Sequence, residues 1–235
     1  MTLILVIPAT DGIVMASDGQ VTAGMIRRRG KKIKKLNESC LWSASGELAL
    51  IQRVEEGIAN ASFEHEQPLQ NLRDYLAGLV RQSVTTLLQM DFRTQFFHND
   101  PEMLLKLHPG DFVFAEYRDS PRILHIAVNG TPEWIDVPFA SGVGAPFAYA
   151  LLQKYEGMPL DISKASLLAF KVIEEAIEVG AYGLGPPIDV WQITQRGIKN
   201  LSEDEIAVLE DSSRTLRDAE IELFSSKGVP DEYCR

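Results

Sequence analysis

Several features that would narrow the function at once are scarce in this chain. It has two cysteines in 235 residues, Cys40 and Cys234, far apart and without metal-ligand spacing. That excludes a disulfide framework and a thiolate metal cage. It reads as one buried thiol and one tail thiol in a reducing, cytoplasmic setting. No apolar run approaches the ~20 residues needed to cross a bilayer, so no membrane partner is expected. No basic segment precedes the short apolar run at the N-terminus and no small-residue cleavage site follows it, so the start does not read as a secretory signal. Positive charge is also short: 23 Lys and Arg against 33 Asp and Glu leave a net charge of −10. Phosphate backbones need a basic surface, so nucleic acid is not the expected partner. The one basic run, residues 27–35 (RRRGKKIKK), has strand-like flanks and no interleaved aromatics. The four histidines, His65, His98, His108 and His125, lack metal-binding spacing and read as structural or surface residues. Trp42, Trp134 and Trp191 read as core or interface. There is no internal repeat and no low-complexity segment.

What is present is a well-punctuated globular pattern, with 45% hydrophobic residues and a length able to bury a substantial core. Asp11-Gly12 separates apolar runs at 2–8 and 12–17, and Asn129-Gly130 separates runs at 122–128 and 131–137; both dipeptides suit tight turns between antiparallel strands. Further strands are predicted over 31–36, 40–44, 111–117 and 188–194. Helices are predicted over 47–61, 69–90 and 162–179. In the last of these Lys171, Glu174, Glu175 and Glu178 share a charged stripe. Ser202 and Glu205 form a capping box that opens a final helix to about residue 224. The order of elements predicts an α+β fold, with antiparallel sheets stacked between helical layers. Strands apolar throughout require cover on both faces. A single domain over 1–226 with a tail at 227–235 is expected. The segment 91–110 fits this scheme least, and a short helix over 101–106 and a subunit contact are its candidate roles.

The chain start carries the chemistry. Thr2 follows Met1 and leads directly into the strand run Leu3-Ile4-Leu5-Val6-Ile7. Initiator methionine is generally trimmed before a small residue, which would leave Thr2 with a hydroxyl and a free α-amine, nucleophile and base in one residue. Such a threonine needs a nearby cation to keep the amine neutral, a carboxylate to hold that cation, and N–H donors for the tetrahedral oxyanion. Asp18 ends the second strand and, paired about the first turn, lies level with the chain start. Lys32, in the following strand, can supply the ammonium. Gly46 sits where a strand becomes a helix, and a helix N-terminus favours developing negative charge.

With these residues in order, Thr2–Gly46 resembles the N-terminal part of a proteasome β-type subunit. It is particularly similar to the peptidase subunit of the bacterial ATP-dependent two-component protease. The matching pieces are Thr2, Asp11-Gly12, residues 18–24 (DGQVTAG), Lys31-Lys32-Ile33 and Ala44-Ser45-Gly46, followed more loosely by 141–147 (SGVGAPF) and 187–190 (PIDV). The resemblance implies the four-layer αββα sandwich of N-terminal nucleophile hydrolases, threonine peptidase chemistry, no metal or organic cofactor, and homo-oligomeric rings or spirals. It also implies a peptide or unfolded-protein substrate and leaves open an AAA+ ATPase partner. On these positions Thr2 would be nucleophile and base, Lys32 the electrostatic partner, Asp18 its anchor and Gly46 the oxyanion donor. Thr22 and Gly46 would pair by backbone with an extended peptide.

Two departures stand beside these matches. The family's serine near the nucleophile falls on Val143, or, with a one-step slip, Ser141 comes close instead. The family's aspartate and serine before the last core strand are missing from 180–186 (GAYGLGP). They motivate the alternative of a catalytically silent ring or scaffold subunit. Another N-terminal-nucleophile amidase, acting on a small amide, is the third reading.

Overall fold

A computed structural model describes residues 2–23, 26–61, 67–91, 110–180 and 183–226. The N-terminal apolar run forms β1 (Leu3–Ala9), which returns through a two-residue loop as β2 (Gly12–Asp18), with Ala9 opposite Gly12. The basic run begins in a hairpin of β3 (Gln20–Ala23) and β4 (Ile26–Arg29). Then come β5 (Lys34–Asn37) and β6 (Cys40–Gly46), helices α1 (Leu48–Asn60) and α2 (Leu69–Thr86), and strands β7 (Gly110–Tyr117), β8 (Pro121–Ala127), β9 (Pro132–Ile135) and β10 (Phe139–Gly142). Helices α3 (Ala145–Leu152) and α4 (Ile162–Glu178), strands β11 (Ile188–Thr194) and β12 (Gly197–Asn200), and helix α5 (Glu203–Ser226) complete the chain.

Two five-stranded antiparallel sheets result, ordered β10-β1-β2-β11-β12 and β5-β6-β7-β8-β9. Strand alternation assigns their side chains to three layers of core. Leu3, Leu5 and Ile7 face Ala169, Phe170 and Ile173 of α4. Trp42, Phe112 and Phe114 face Leu50 and Val54 of α1 and Leu72, Leu76 and Val80 of α2. Between the sheets, Ile4, Val6, Ile13 and Met15 meet Leu41, Val113, Ala115 and Ile123. This is the four-layer αββα sandwich, and burial on both faces is why the central strands read as unbroken apolar runs.

Several expectations need correction. Lys32 precedes β5 rather than lying in a strand. Ser43 Oγ donates to its carbonyl at 2.9 Å, and the neighbouring Ile33 is buried in the inter-sheet core. The hairpin β3–β4 and the elements β10, α3 and β12 are absent from the sequence-based elements, because short strands and an eight-residue apolar helix carry too few residues to display a period. The charged stripe of α4 is covered by α5: Lys171 pairs with Glu175 and Glu220, and Arg217 with Glu174 and Glu178. The capping box is present, with Ser202 N donating to Glu205 Oε2 at 3.0 Å and Glu205 N to Ser202 Oγ at 3.3 Å. The predicted helix over 101–106, the contact role of the segment around it, the tail at 227–235, and His65, His98, His108 and Cys234 lie outside the described residues.

Candidate active site

The antiparallel pairing of β1 with β2 sets Ile4 opposite Ser17, so Asp18 lies beside the chain start. Its side chain is completely buried. Oδ1 accepts from Leu3 N at 2.9 Å and from Lys32 Nζ at 2.5 Å. Oδ2 accepts from Gln20 N at 3.2 Å and from Gly185 N at 3.3 Å. Three backbone amides and one ammonium thus satisfy a carboxylate that burial would otherwise penalise heavily. Asp18 holds Lys32 against the residue that follows Thr2. The Lys32 side chain is 7% exposed. Burial pulls its ammonium below the ordinary lysine range, and the charge and hydrogen bond of Asp18 pull back only in part.

The segment before β11, without its acidic and hydroxyl pair, serves this carboxylate through its backbone. Gly185 N reaches Asp18, Gly19 N donates to Gly185 O at 2.9 Å, and Gln20 Nε2 donates to Gly183 O at 2.6 Å.

Thr2 is partly buried and lines a cleft of about 500 Å³ with Ser45, Gly46, Glu47, Gly110, Asp111, Gly142 and Val143. Gly46 is exposed there at the end of β6, one residue before the N-cap of α1, with φ of 117°. β10 flanks the chain start on its other side, Leu3 opposite Gly142 and Ile4 opposite Ser141. Continued one residue beyond the ladder, the same register brings Val143, not Ser141, level with Thr2. Gly142 has φ of 96°, and a Cβ there would lie 2.1 Å from Thr2 O, so only glycine fits. Thr22 lies in β3 opposite Arg27 of β4.

Thr2, Asp18, Lys32 and Gly46, 44 positions apart at the extremes, therefore meet at one end of the sandwich. Sequence reasoning missed the polar group beside them. Ser45 Oγ and Ser141 Oγ are 2.7 Å apart, Ser141 Oγ donates to Asp111 Oδ2 at 3.0 Å, and His125 Nε2 lies 3.0 Å from Asp111 Oδ1. The available signal was a lone polar residue at an inward position of an otherwise apolar strand, Asp111 in β7 and His125 in β8. Among the described residues no group of three His, Cys, Asp or Glu side chains is placed to hold a metal ion.

The sandwich and the placement of Thr2 at its open end define a proteasome-type fold, and comparison with known proteins agrees. The family profile described as "Proteasome subunit" matches residues 2–186, so the chain belongs to the proteasome subunit family. It is similar to the proteasome subunit beta of Nanoarchaeum equitans, 26% identical over 203 residues that cover 86% of this chain and 97% of that one. It is likewise similar to proteasome subunit beta 1 of Pyrobaculum calidifontis, 29% identical over 201 residues covering 83% and 91%. Among solved structures, Anbu, an ancestral beta-subunit, from Yersinia bercovieri superposes with a TM-score of 0.74 at 14% identity, covering 97% of this chain and 98% of that one. A Gly-1 mutant of Anbu from Hyphomicrobium sp. strain MC1 gives 0.73 at 17%, covering 98% and 100%. At such identities these two structures speak for the fold alone. No helix among the described residues is long and apolar enough to cross a membrane.

Proposed function

We propose that this protein is a threonine-type endopeptidase whose nucleophile is Thr2 after removal of Met1. The observation that carries the reading is the Asp18 carboxylate, which accepts from Leu3 N and Lys32 Nζ on the same oxygen and so fixes a buried ammonium beside the first strand residue. In this mechanism the α-amine of Thr2 takes the proton from its own hydroxyl as Oγ1 attacks a peptide carbonyl. A free α-amine titrates near 7.7–8.0, and the Lys32 charge lowers that value, leaving the amine neutral and able to accept. The Gly46 N–H, ahead of the α1 N-terminus, donates to the developing oxyanion. The amine then passes its proton to the leaving nitrogen, and water hydrolyses the resulting ester. Thr22 and Gly46 offer backbone groups to an extended substrate.

Membership of the proteasome subunit family supports a homo-oligomeric ring or spiral in the cytoplasm acting on peptides or unfolded chains, with an AAA+ ATPase as the partner that would deliver folded proteins. The chemistry needs no cofactor.

Intact mass and hydrolysis test the proposal together. Loss of Met1, and loss of peptide hydrolysis in Thr2→Ala, are expected, with a mass adduct on Thr2 after treatment with a peptide epoxyketone or β-lactone. Val143 at the position level with Thr2 favours the second reading, a silent subunit. Retained Met1 with no adduct would establish that reading instead.

A further inference from the structure

The layer between the two sheets is apolar along most of its length, yet at the end that holds Thr2 it turns polar on five strands, Ser17 of β2 among them. Ser45 of β6, Asp111 of β7, His125 of β8 and Ser141 of β10 all occupy inward-facing positions by strand alternation. They form one chain: Ser45 to Ser141 at 2.7 Å, Ser141 to Asp111 at 3.0 Å, Asp111 to His125 at 3.0 Å, with Glu133 of β9 3.7 Å beyond the other ring nitrogen. Ser45 and Ser141 are almost fully buried. Hydrogen bonds link every neighbouring pair from Ser45 to His125, which a buried polar network must achieve to avoid a large cost. The chain crosses from one sheet to the other where β10 turns toward α3. That turn carries Gly142, packed on the Thr2 carbonyl, and Val143, level with Thr2 on the wall of the cleft.

Resting on the nucleophile assignment above, we propose that Ser141 and Asp111 are positioning residues for the reaction. Ser141 ties the Gly142–Val143 turn to the opposite sheet and so fixes the floor on which Thr2 rests. Asp111 anchors Ser141 and, being part-exposed in the same cleft, sets the local charge felt by the Thr2 amine. The hydrogen bonds from His125 and Ser141 hold the Asp111 carboxyl below the usual carboxylate range against the opposing effect of burial, so it is an anion throughout the working pH range. The other charged groups around the cleft are Lys32 with Asp18 beneath the chain start, Glu47 at the α1 N-terminus, and Glu133 behind His125.

The two residues are separable by experiment. Ser141→Ala removes the tie and leaves the charge; kcat should fall about tenfold with KM little changed and the acid limb of the kcat/KM profile in place. Asp111→Asn keeps the shape and removes the charge. The protonated Thr2 amine loses a stabilising anion, so the acid limb should move to lower pH by a few tenths of a unit alongside a fall in kcat. A purely structural role would lower thermal stability without moving that limb. Thr2→Ala is measured in parallel. If Thr2→Ala is inactive while both variants match the wild-type kcat and acid limb within twofold, the positioning role is overturned and the nucleophile stands. If Thr2→Ala retains wild-type activity, or the wild-type protein neither hydrolyses peptides nor forms an adduct at Thr2, the nucleophile assignment falls and this inference falls with it.

Discussion

Lys32 governs the electrostatics of the proposed site, because its charge is the cation nearest the chain start that a buried carboxylate holds in place. A lysine depressed by burial loses its proton earlier than one in water, so kcat/KM should decline on the alkaline side at a pH below 10.5. Between the folded and unfolded values the unfolded chain binds the extra proton, so this group's contribution to stability rises with pH through that window. Lys32→Met should cut kcat/KM by about 100-fold or more. It leaves Asp18 with its three amide donors, so the circular dichroism spectrum should remain that of a folded protein; a variant of near wild-type activity would remove Lys32 from the mechanism. Gly142→Ala tests the packing on the other side of Thr2. A methyl group 2.1 Å from the Thr2 carbonyl, at φ of 96°, should cost well over ~1 kcal/mol in urea denaturation and displace Thr2 from reach of an active-site probe. Asp18 was legible in the sequence because a tight turn fixes the antiparallel register. Lys32 was legible only as a position in an ordered motif, since its placement depends on contacts from other strands, Asp18 of β2 on its ammonium and Ser43 of β6 on its carbonyl.

At the scale of elements, buried polar side chains tie the layers at particular points. Glu116 of β7 is 1% exposed, accepts from Leu69 N at the start of α2 and from Arg118 Nε, and so caps in trans a helix that lacks a side-chain cap of its own. Glu116→Ala should leave that amide unpaired and cost ~1–3 kcal/mol in urea denaturation, with faster amide exchange in the first turn of α2. Unchanged exchange there would show that the cap contributes nothing. Long apolar runs announced β1, β2, β6, β7 and β8, and amphipathic periodicity announced α2 and α4. The cover of α4 by α5 was not legible, since a charged stripe reads alike whether it faces water or an opposite set of charges, here Arg217 and Glu220 of α5.

For the molecule as a whole, the proposed function predicts assembly. Val208, Ile221, Leu223 and Phe224 stand more than half exposed on α5, at different angles around the helix. Mass photometry at micromolar concentration should give a particle several times the 26.2 kDa of one chain, and a uniform monomer would refute the ring or spiral. By itself the sequence determined the layered α+β architecture and the pairing of Asp18 with the chain start, because hydrophobic period and turn chemistry act over a few residues. Only the tertiary structure decided that Val143 rather than Ser141 stands level with Thr2, and that Ser45, Asp111, His125 and Ser141 form one chain beneath it. Those outcomes depend on the register of β10 against β1 and the stacking of two sheets, which join residues up to 139 positions apart and leave no local trace in the order of amino acids.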